Sequence, residues 1–542
     1  MSSPIPDPIA AGLAAGWQVT DAATLRTGRT MEADVVIIGS GAGGGITAEL
    51  LALAGLQVLI VEEGGLPSSR DFKMREADAY PALYQESAAR KTRDKAINIL
   101  QGRAVGGSTT VNWTSSFRTP PGTLAHWRSH HGLAGYTVEA MAPWFALVEQ
   151  RLHVSDWPVP PNENNDLLRR GARQLGIPTA AIRRNVNGCW NLGYCGMGCP
   201  TNAKQSMLVT TIPSALSLGA GLVTHARAER FIFDGERIRD LQVTALDAAG
   251  LAPTGVVLTL RARHYVLAGG AINTPALLLR SNAPDPHKLL GRRTFLHPTV
   301  ISAALFAQRV DAYAGAPQTI YSDHFLSTQA IDGPIGYKLE APPLHPLLMA
   351  TTMGGFGDAH AETMRQFPHV HGLLALLRDG FHEDAAGGTV AIDASGAPVL
   401  DYPLTPFIWD GVRRALLSMA EIQFAAGARS VYPVHEMARH YTSWGRAREA
   451  IDALPYQALL ARVVSAHVMG GCAMSDEARL GVTDASGRYR GVRNLSVHDG
   501  SLFPTSIGAN PQLSVYALAA RLASSLAAEL TGKPAPGFRV DA

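Results

Sequence analysis

Residues 35–65, VVIIGSGAGGGITAELLALAGLQVLIVEEGG, decide the fold. Val35 to Ile38 is an apolar run of the kind that forms a buried parallel strand. It breaks at Gly39-Ser40-Gly41-Ala42-Gly43-Gly44, which fits G-x-G-x-x-G. The pattern predicts a helix from about Ile46 to Ala54, stopped by Gly55 as a C-cap. A second strand, Val58 to Val61, follows and ends at Glu62-Glu63. Each part has a mechanical reason. Gly39 permits the tight turn, Gly41 lets a pyrophosphate approach the backbone, and Gly44 lets the helix pack close to the strand. The helix N-terminus offers free N–H groups to phosphate. A carboxylate about 20 residues on, Glu62 or Glu63, can hold a ribose hydroxyl. Strand, turn, helix and acid occur together here, which makes this a dinucleotide site rather than a chance glycine turn.

The chain has 542 residues, enough for a large core and too long for one simple domain. Hydrophobic residues make up 46% and charged residues 17%, a globular balance. The net charge is +2 with no run of like charges, which argues against a nucleic-acid partner. No apolar run approaches the ~20 residues needed to span a bilayer. Peripheral membrane contact is compatible with the composition. The N-terminus lacks a basic n-region and a long apolar h-region, so it does not read as a signal peptide. Four cysteines do not make a disulfide-stapled fold, and a reducing, cytoplasmic setting is expected.

Further glycine-rich stretches punctuate the chain. GRAVGGSTTVNWTSSFRTP, residues 102–120, holds a second glycine turn at Gly106-Gly107-Ser108, beside Thr and Asn groups suited to a flat or anionic ligand. The polar segment 66–101 reads as a solvated loop and helix, with a cover over the cofactor as the other reading. NGCWNLGYCGMGCPTNAKQS, residues 187–206, carries Cys189, Cys195 and Cys199. Free thiols in a tight loop, a three-iron cluster and a disulfide all fit that spacing. VVLTLRARHYVLAGGAINTPALLLRS predicts strands at Val256–Leu260 and His264–Ala268, then a helix with Thr274 as cap and Pro275 as its first residue. His297-Pro298 follows. Residues 311–460 alternate short apolar and polar segments, as in a half-buried antiparallel sheet. A hairpin is expected over 389–402, and a long helix from Phe407 to Ala426 capped by Thr405. His369-x-His371 could face one side of a strand as metal ligands, but without a nearby carboxylate it reads as packing. Near the C-terminus, VVSAHVMGGCAMSD presents His467 among small residues. NLSVHDGSLFPTSIGANPQLSVYALAARLA then runs strand, rigid loop and helix, with Asn510 in the loop.

Taken together, these segments resemble the glucose-methanol-choline (GMC) family of flavin oxidoreductases. GSGAGGG resembles its FAD fingerprint, GRAVGGSTTVNW its first signature and VLAGGAINTPALLLRS its second. SAHVMGGCAMSD and DGSLFPTSIGANPQLSVYALAARLA are similar to its C-terminal catalytic and flavin-binding segments. Within the family, the cysteine loop and the Asn112-Trp113 pair look most like long-chain fatty alcohol oxidases, with Cys189 displaced from their pattern. Iron–sulfur-containing sugar dehydrogenases are similar in the same loop.

The resemblance implies an α/β fold: a Rossmann-like FAD-binding domain with an inserted α+β substrate domain on an antiparallel sheet. The FAD-binding parts would lie at 33–120, 201–300 and 461–542. A mixed helical and Cys-loop segment would occupy 121–200 and the substrate domain 301–460. Gly39, Gly41, Gly44 and Glu62 would bind the ADP half of FAD. Gly106, Gly107, Ser108 and Asn112 would lie along the pyrophosphate and flavin, Ala228 beside adenine, and Asp499 and Gly500 beside the ribityl chain and phosphates. His467 and Asn510 occupy the family's catalytic His and His/Asn positions.

The implied reaction is oxidation of a primary or secondary alcohol, long-chain or aromatic, with hydride passing to flavin N5, His467 as base and Asn510 donating to the substrate oxygen. Oxygen or another acceptor would reoxidise the flavin. The alternatives are a hydroxynitrile-lyase-like enzyme without redox turnover, an iron–sulfur sugar dehydrogenase, a nicotinamide dehydrogenase and a non-catalytic flavoprotein.

Overall fold

The computed structural model describes residues 5–534, 537 and 538. The glycine-rich unit forms as its pattern predicts. Thr30–Ile38 and Val58–Val61 are adjacent parallel strands, Val35 facing Val58 and Ile38 facing Val61. All four residues of the second strand are buried, each contributing on the order of 1.5–3 kcal/mol by leaving water. The helix between them spans Ala42–Leu53 and starts earlier than its apolar pattern suggests. Positions 43 and 44 of this helix need glycine because nothing larger fits: a Cβ on Gly43 would lie 1.5 Å from the His498 carbonyl oxygen, and one on Gly44 2.0 Å from that of Gly39. Packing overrides poor helix propensity here.

These strands sit in an eight-stranded sheet in the spatial order Gln18–Asp21, Gly221–Thr224, Val58–Val61, Thr30–Ile38, Pro253–Leu267, Arg237–Leu246, Ala226–Asp234. Pro253–Leu267 is one continuous strand, where two were expected. Its partner Thr30–Ile38 pairs along it from Thr259↔Thr30 to Leu267↔Ile38 and carries it through the polar stretch Arg261-Ala262-Arg263. On its other edge it pairs first with Arg237–Leu246 and then, in parallel, with Leu495–Val497. The helix after it runs Gly270–Arg280, so Pro275 lies inside it rather than at its start. Thr274 is not a cap; its hydroxyl donates to Asp499.

A second, largely antiparallel sheet has the order Ile97–Ile99, Val463–Ser465, Thr299–Leu305, Val370–Leu377, Tyr337–Glu340, Ile320–Ser322, Ala180–Ala181, with Ser430–Pro433 also on Thr299–Leu305. Its back is covered by the helix Pro406–Ala425. Thr405 caps that helix by accepting from Ile408 N at 3.3 Å. The expected hairpin forms from Gly388–Ile392 and Pro398–Asp401, in a separate four-stranded sheet. Ile97–Ile99 pairs in parallel with Val463–Ser465, so segments from both ends of the chain build one edge of the second sheet.

The C-terminal helix Gln512–Thr531 packs on Ala42–Leu53. By length and composition it is apolar enough to cross a membrane, against the expectation that no such run exists. Twelve of its residues are buried in the core, which accounts for its apolarity.

Candidate functional site: a glycine-lined cavity that reaches His467

A cavity of about 1070 Å³ opens beyond the carboxyl ends of the parallel strands, where ligands bind in such sheets. Gly39, Gly41, Glu62, Gly107, Ser108, Asn112, Ala228, Asp499, Gly500, His467 and Asn510 all line it. Gly44 and Gly106 lie behind the lining, where they hold backbones together. Gly39 has φ +99°, and a Cβ there would be 2.4 Å from the Ala268 carbonyl oxygen. Gly106 has φ +90° and packs against Thr110.

The two glycine turns are tied by one hydroxyl. Ser40 Oγ donates to Glu62 Oε2 at 2.6 Å and accepts from Gly106 N at 3.0 Å. Glu62 also accepts from Ser40 N and Gly64 N, both at 3.0 Å. Burial pushes its carboxyl above the usual range against these bonds. Three accepted hydrogen bonds leave this carboxylate about one free lone-pair site, so much of Glu62 serves the turns themselves. Asp499 is used similarly: it accepts from Gly270 N at 2.8 Å, Thr274 Oγ1 at 2.6 Å, Ser501 N at 2.8 Å and the Ser501 hydroxyl. It pins the loop before Asn510 to the helix Gly270–Arg280.

The donor set suits a dinucleotide. The helix Ala42–Leu53 has Gly41 as its N-cap, with no side chain capping its first amides, and Gly41, Ala42 and Gly43 border the cavity. Uncapped N–H groups at a helix start are ready partners for a pyrophosphate. The helix Gln512–Thr531 likewise lacks a side-chain cap, and Gln512 also lines the cavity. Asn112 donates to Gln512 Oε1 at 2.7 Å and thereby joins the second glycine segment to that helix.

Residues 80–102 supply one wall, through Tyr80, Tyr84, Gln85, Arg90 and Gln101 among others. The segment is therefore a cover, not only a solvated surface.

The cysteine loop abuts the same wall. Tyr84 donates to the Gly196 carbonyl at 2.6 Å. Cys189, Cys195 and Cys199 are free thiols, half-buried, and among the described residues no three His, Cys, Asp or Glu converge as a metal set. The loop is held by Lys204, a buried ammonium that donates to the carbonyls of Cys195, Thr110 and Asn112 at 2.6, 2.7 and 2.9 Å. Burial lowers Lys204 to about 8. His371 lies against Gln423 inside the second sheet and His369 against the Gln308 carbonyl, consistent with packing.

His467 and Asn510 both line the cavity, and residues that the sequence reading passed over contact them. His467 Nδ1 lies 3.3 Å from His297 Nδ1, and His297 Nε2 accepts from Gly508 N at 3.1 Å. Gly508 thus keeps the hydrogen of His297 on Nδ1, directed at His467. The neutral His467 ring then carries its own hydrogen on Nε2, the nitrogen with no protein partner among the described residues. Burial, and then the charge of Lys338, push His467 down to about 4; burial pushes His297 well below the usual imidazole range. Both rings are neutral near pH 7. Asn510 Nδ2 donates to Glu340 Oε2 at 3.2 Å, while Asn510 Oδ1 and Glu340 Oε1 are buried without a partner. His297 was visible only as a His-Pro pair. Lys338 and Glu340 did carry a signal: they alternate with buried Tyr337 and Leu339, and so place two charges on one face of an interior strand.

Family models described as GMC oxidoreductase match residues 80–299 and 385–519. The chain is 29% identical over 497 residues to the uncharacterized GMC-type oxidoreductase y4nJ of Sinorhizobium fredii, covering 91% of this chain and 94% of that one. It is 28% identical over 506 residues to the long-chain-alcohol oxidase FAO4A of Arabidopsis thaliana, covering 90% and 68%. Its fold matches the crystal structure of pyridoxine 4-oxidase from Mesorbium loti with a TM-score of 0.66 at 20% identity, covering 91% and 98%. The chain belongs to the GMC oxidoreductase family. It is an FAD-dependent oxidoreductase that acts on CH–OH donors.

Proposed function

We propose that the chain oxidises a primary or secondary alcohol with a long aliphatic or aromatic substituent to the aldehyde or ketone. One observation carries this reading. The cavity that begins at the glycine turns reaches His467 and Asn510, and it is also walled by Ile301, Leu344, Leu348, Met349, Met353, Leu374 and Leu376. Such a wall solvates hydrocarbon and offers a sugar few partners. The long-chain-alcohol oxidases among the relatives support the same substrate class.

Gly39, Gly41, Gly107 and Ser108 would hold FAD along the glycine turns, and the flavin would supply the hydride acceptor for the carbinol carbon. The protein's share is positioning and proton handling. His467 and Asn510 hold the carbinol oxygen, and His467 takes the hydroxyl proton at Nε2. That role sets a condition. His467 must first carry its hydrogen on Nδ1, with His297 accepting it and Gly508 releasing His297 Nε2. The two imidazoles act as one unit.

The test is anaerobic bleaching of the yellow protein by a panel of alcohols, followed by exposure to air. Bleaching by long-chain or aromatic alcohols is expected, with colour restored by oxygen or by an added acceptor. His467→Ala should keep the flavin and slow its reduction at least ~100-fold. Cyanohydrin cleavage without bleaching, or unchanged reduction in His467→Ala, overturns the reading.

A further inference from the structure

Behind Asn510 lies a pair of charges that the reaction above does not use. Lys338 and Glu340 project from the same face of the strand Tyr337–Glu340, and both are buried, at 3% and 0% exposure. The Lys338 ammonium sits in an aromatic cage, 3.4 Å from the ring centre of Phe117 and 3.8 Å from that of Tyr321. Ring faces stabilise a desolvated cation. The negative charges acting on it are Glu340 and, more weakly, Asp323. Glu340 spends one oxygen on the Asn510 amide and leaves the other without a partner.

Two buried charges of opposite sign are a poor source of stability, because desolvation offsets most of their attraction. Their placement points to another use. Burial raises the Glu340 carboxyl above its usual range, and the Lys338 charge and the Asn510 amide work against that by favouring the ionised form. As a carboxylate it only accepts hydrogen bonds, so it admits the Asn510 side chain in one orientation, nitrogen towards Glu340. The amide then has one hydrogen left for a substrate oxygen. A neutral partner would allow the amide to turn over and present its oxygen instead.

We propose that Lys338 and Glu340 are positioning residues for the site: Glu340 fixes the orientation of the Asn510 amide, and the caged Lys338 balances the Glu340 charge and acts on His467 through its field. The proposal rests on the alcohol-oxidation reading for its consequence in catalysis, not for its structural content. The charged and titratable groups facing this cluster are His297 and Lys338 around His467, Arg378 beside His297, and Glu340 and Asp323 beside Lys338. Removing the Lys338 charge leaves His467 easier to protonate. Removing the Glu340 charge leaves the lysine uncompensated and does the reverse.

The experiment follows the His467 imidazole by NMR in histidine-labelled holoprotein, with His467→Gln to assign the signal. Lys338→Met should move its titration upward by about half a pH unit or more, Lys338→Arg should leave it in place, and Glu340→Gln should move it downward. The double variant Lys338→Met/Glu340→Met, in which no lone charge is left buried, should fold and hold FAD. It should still lose about tenfold in the rate of flavin reduction, the worth of one oriented hydrogen bond, with a smaller change in KM. An unmoved His467 titration in Lys338→Met, or full reduction rate in the double variant, overturns the proposal. Failure of every alcohol to bleach wild-type protein overturns the substrate reading instead, and leaves the titration to judge the pair.

Discussion

His297 and His467 face each other through their Nδ1 atoms at 3.3 Å, and Gly508 occupies the remaining nitrogen of His297. The backbone of the loop before Asn510 thereby reads out which nitrogen of His467 bears hydrogen. His297→Phe keeps a ring of similar size and removes both bonds. We expect it to bind FAD as wild type does and to reduce it about tenfold more slowly. Stopped-flow absorbance across pH 5–9 checks this.

Gly41 and Gly43 separate fold from ligand. A Cβ on Gly41 meets nothing closer than Gly107 Cα at 3.8 Å, whereas one on Gly43 would lie 1.5 Å from the His498 carbonyl oxygen. Gly41→Ala should give soluble protein that purifies with little flavin. Gly43→Ala should not accumulate as folded protein at all. Circular dichroism and the absorbance ratio of flavin to protein distinguish the two.

Lys204 joins the cysteine loop to the second glycine segment through three carbonyls. Lys204→Met would leave those carbonyls buried and unpaired. The expected loss is about 3 kcal/mol, read as a lower urea midpoint, together with faster alkylation of Cys195 and Cys199.

Acid should unfold the chain from a particular window. His467 and His126 are held near 4, and His131, His371 and His498 near 3, all chiefly by burial. In the unfolded chain these rings bind protons near 6.5. Between those limits the unfolded state holds more protons than the native one, so stability rises with pH and is lost as pH falls below about 6.5. Each group adds a slope of up to about 1.4 kcal/mol per pH unit. Urea midpoints that stay flat between pH 6.5 and 4 would contradict this.

Much of the nucleotide-binding half was legible because its signals are local. The turn at Gly39, the strand Val58–Val61 and the cap at Thr405 each rest on residues within a few positions of one another. Boundaries went astray where tertiary contact decided them. Gly43 and Gly44 lie in a helix where neighbouring backbone leaves no room for a side chain, and Pro275 lies inside a helix whose Thr274 donates to Asp499 instead of capping it. The site was half-legible for the same reason. His467 and Asn510 lie in recognisable stretches. His297 and Glu340 matter only through partners 170 residues away in the chain, a distance that no local pattern spans.

The pairing of Ile97–Ile99 with Val463–Ser465 bears on how the protein is loaded. The cover over the cavity and the strand leading into His467 share an edge of one sheet. Lifting that cover would break the ladder of Ile97–Ile99 and leave the strand before His467 held on one side only, through Thr299 and Val300. Amide exchange at Ile97–Ile99 and at Val463–Ser465 should accelerate together in the flavin-free protein and slow together once the flavin is seated.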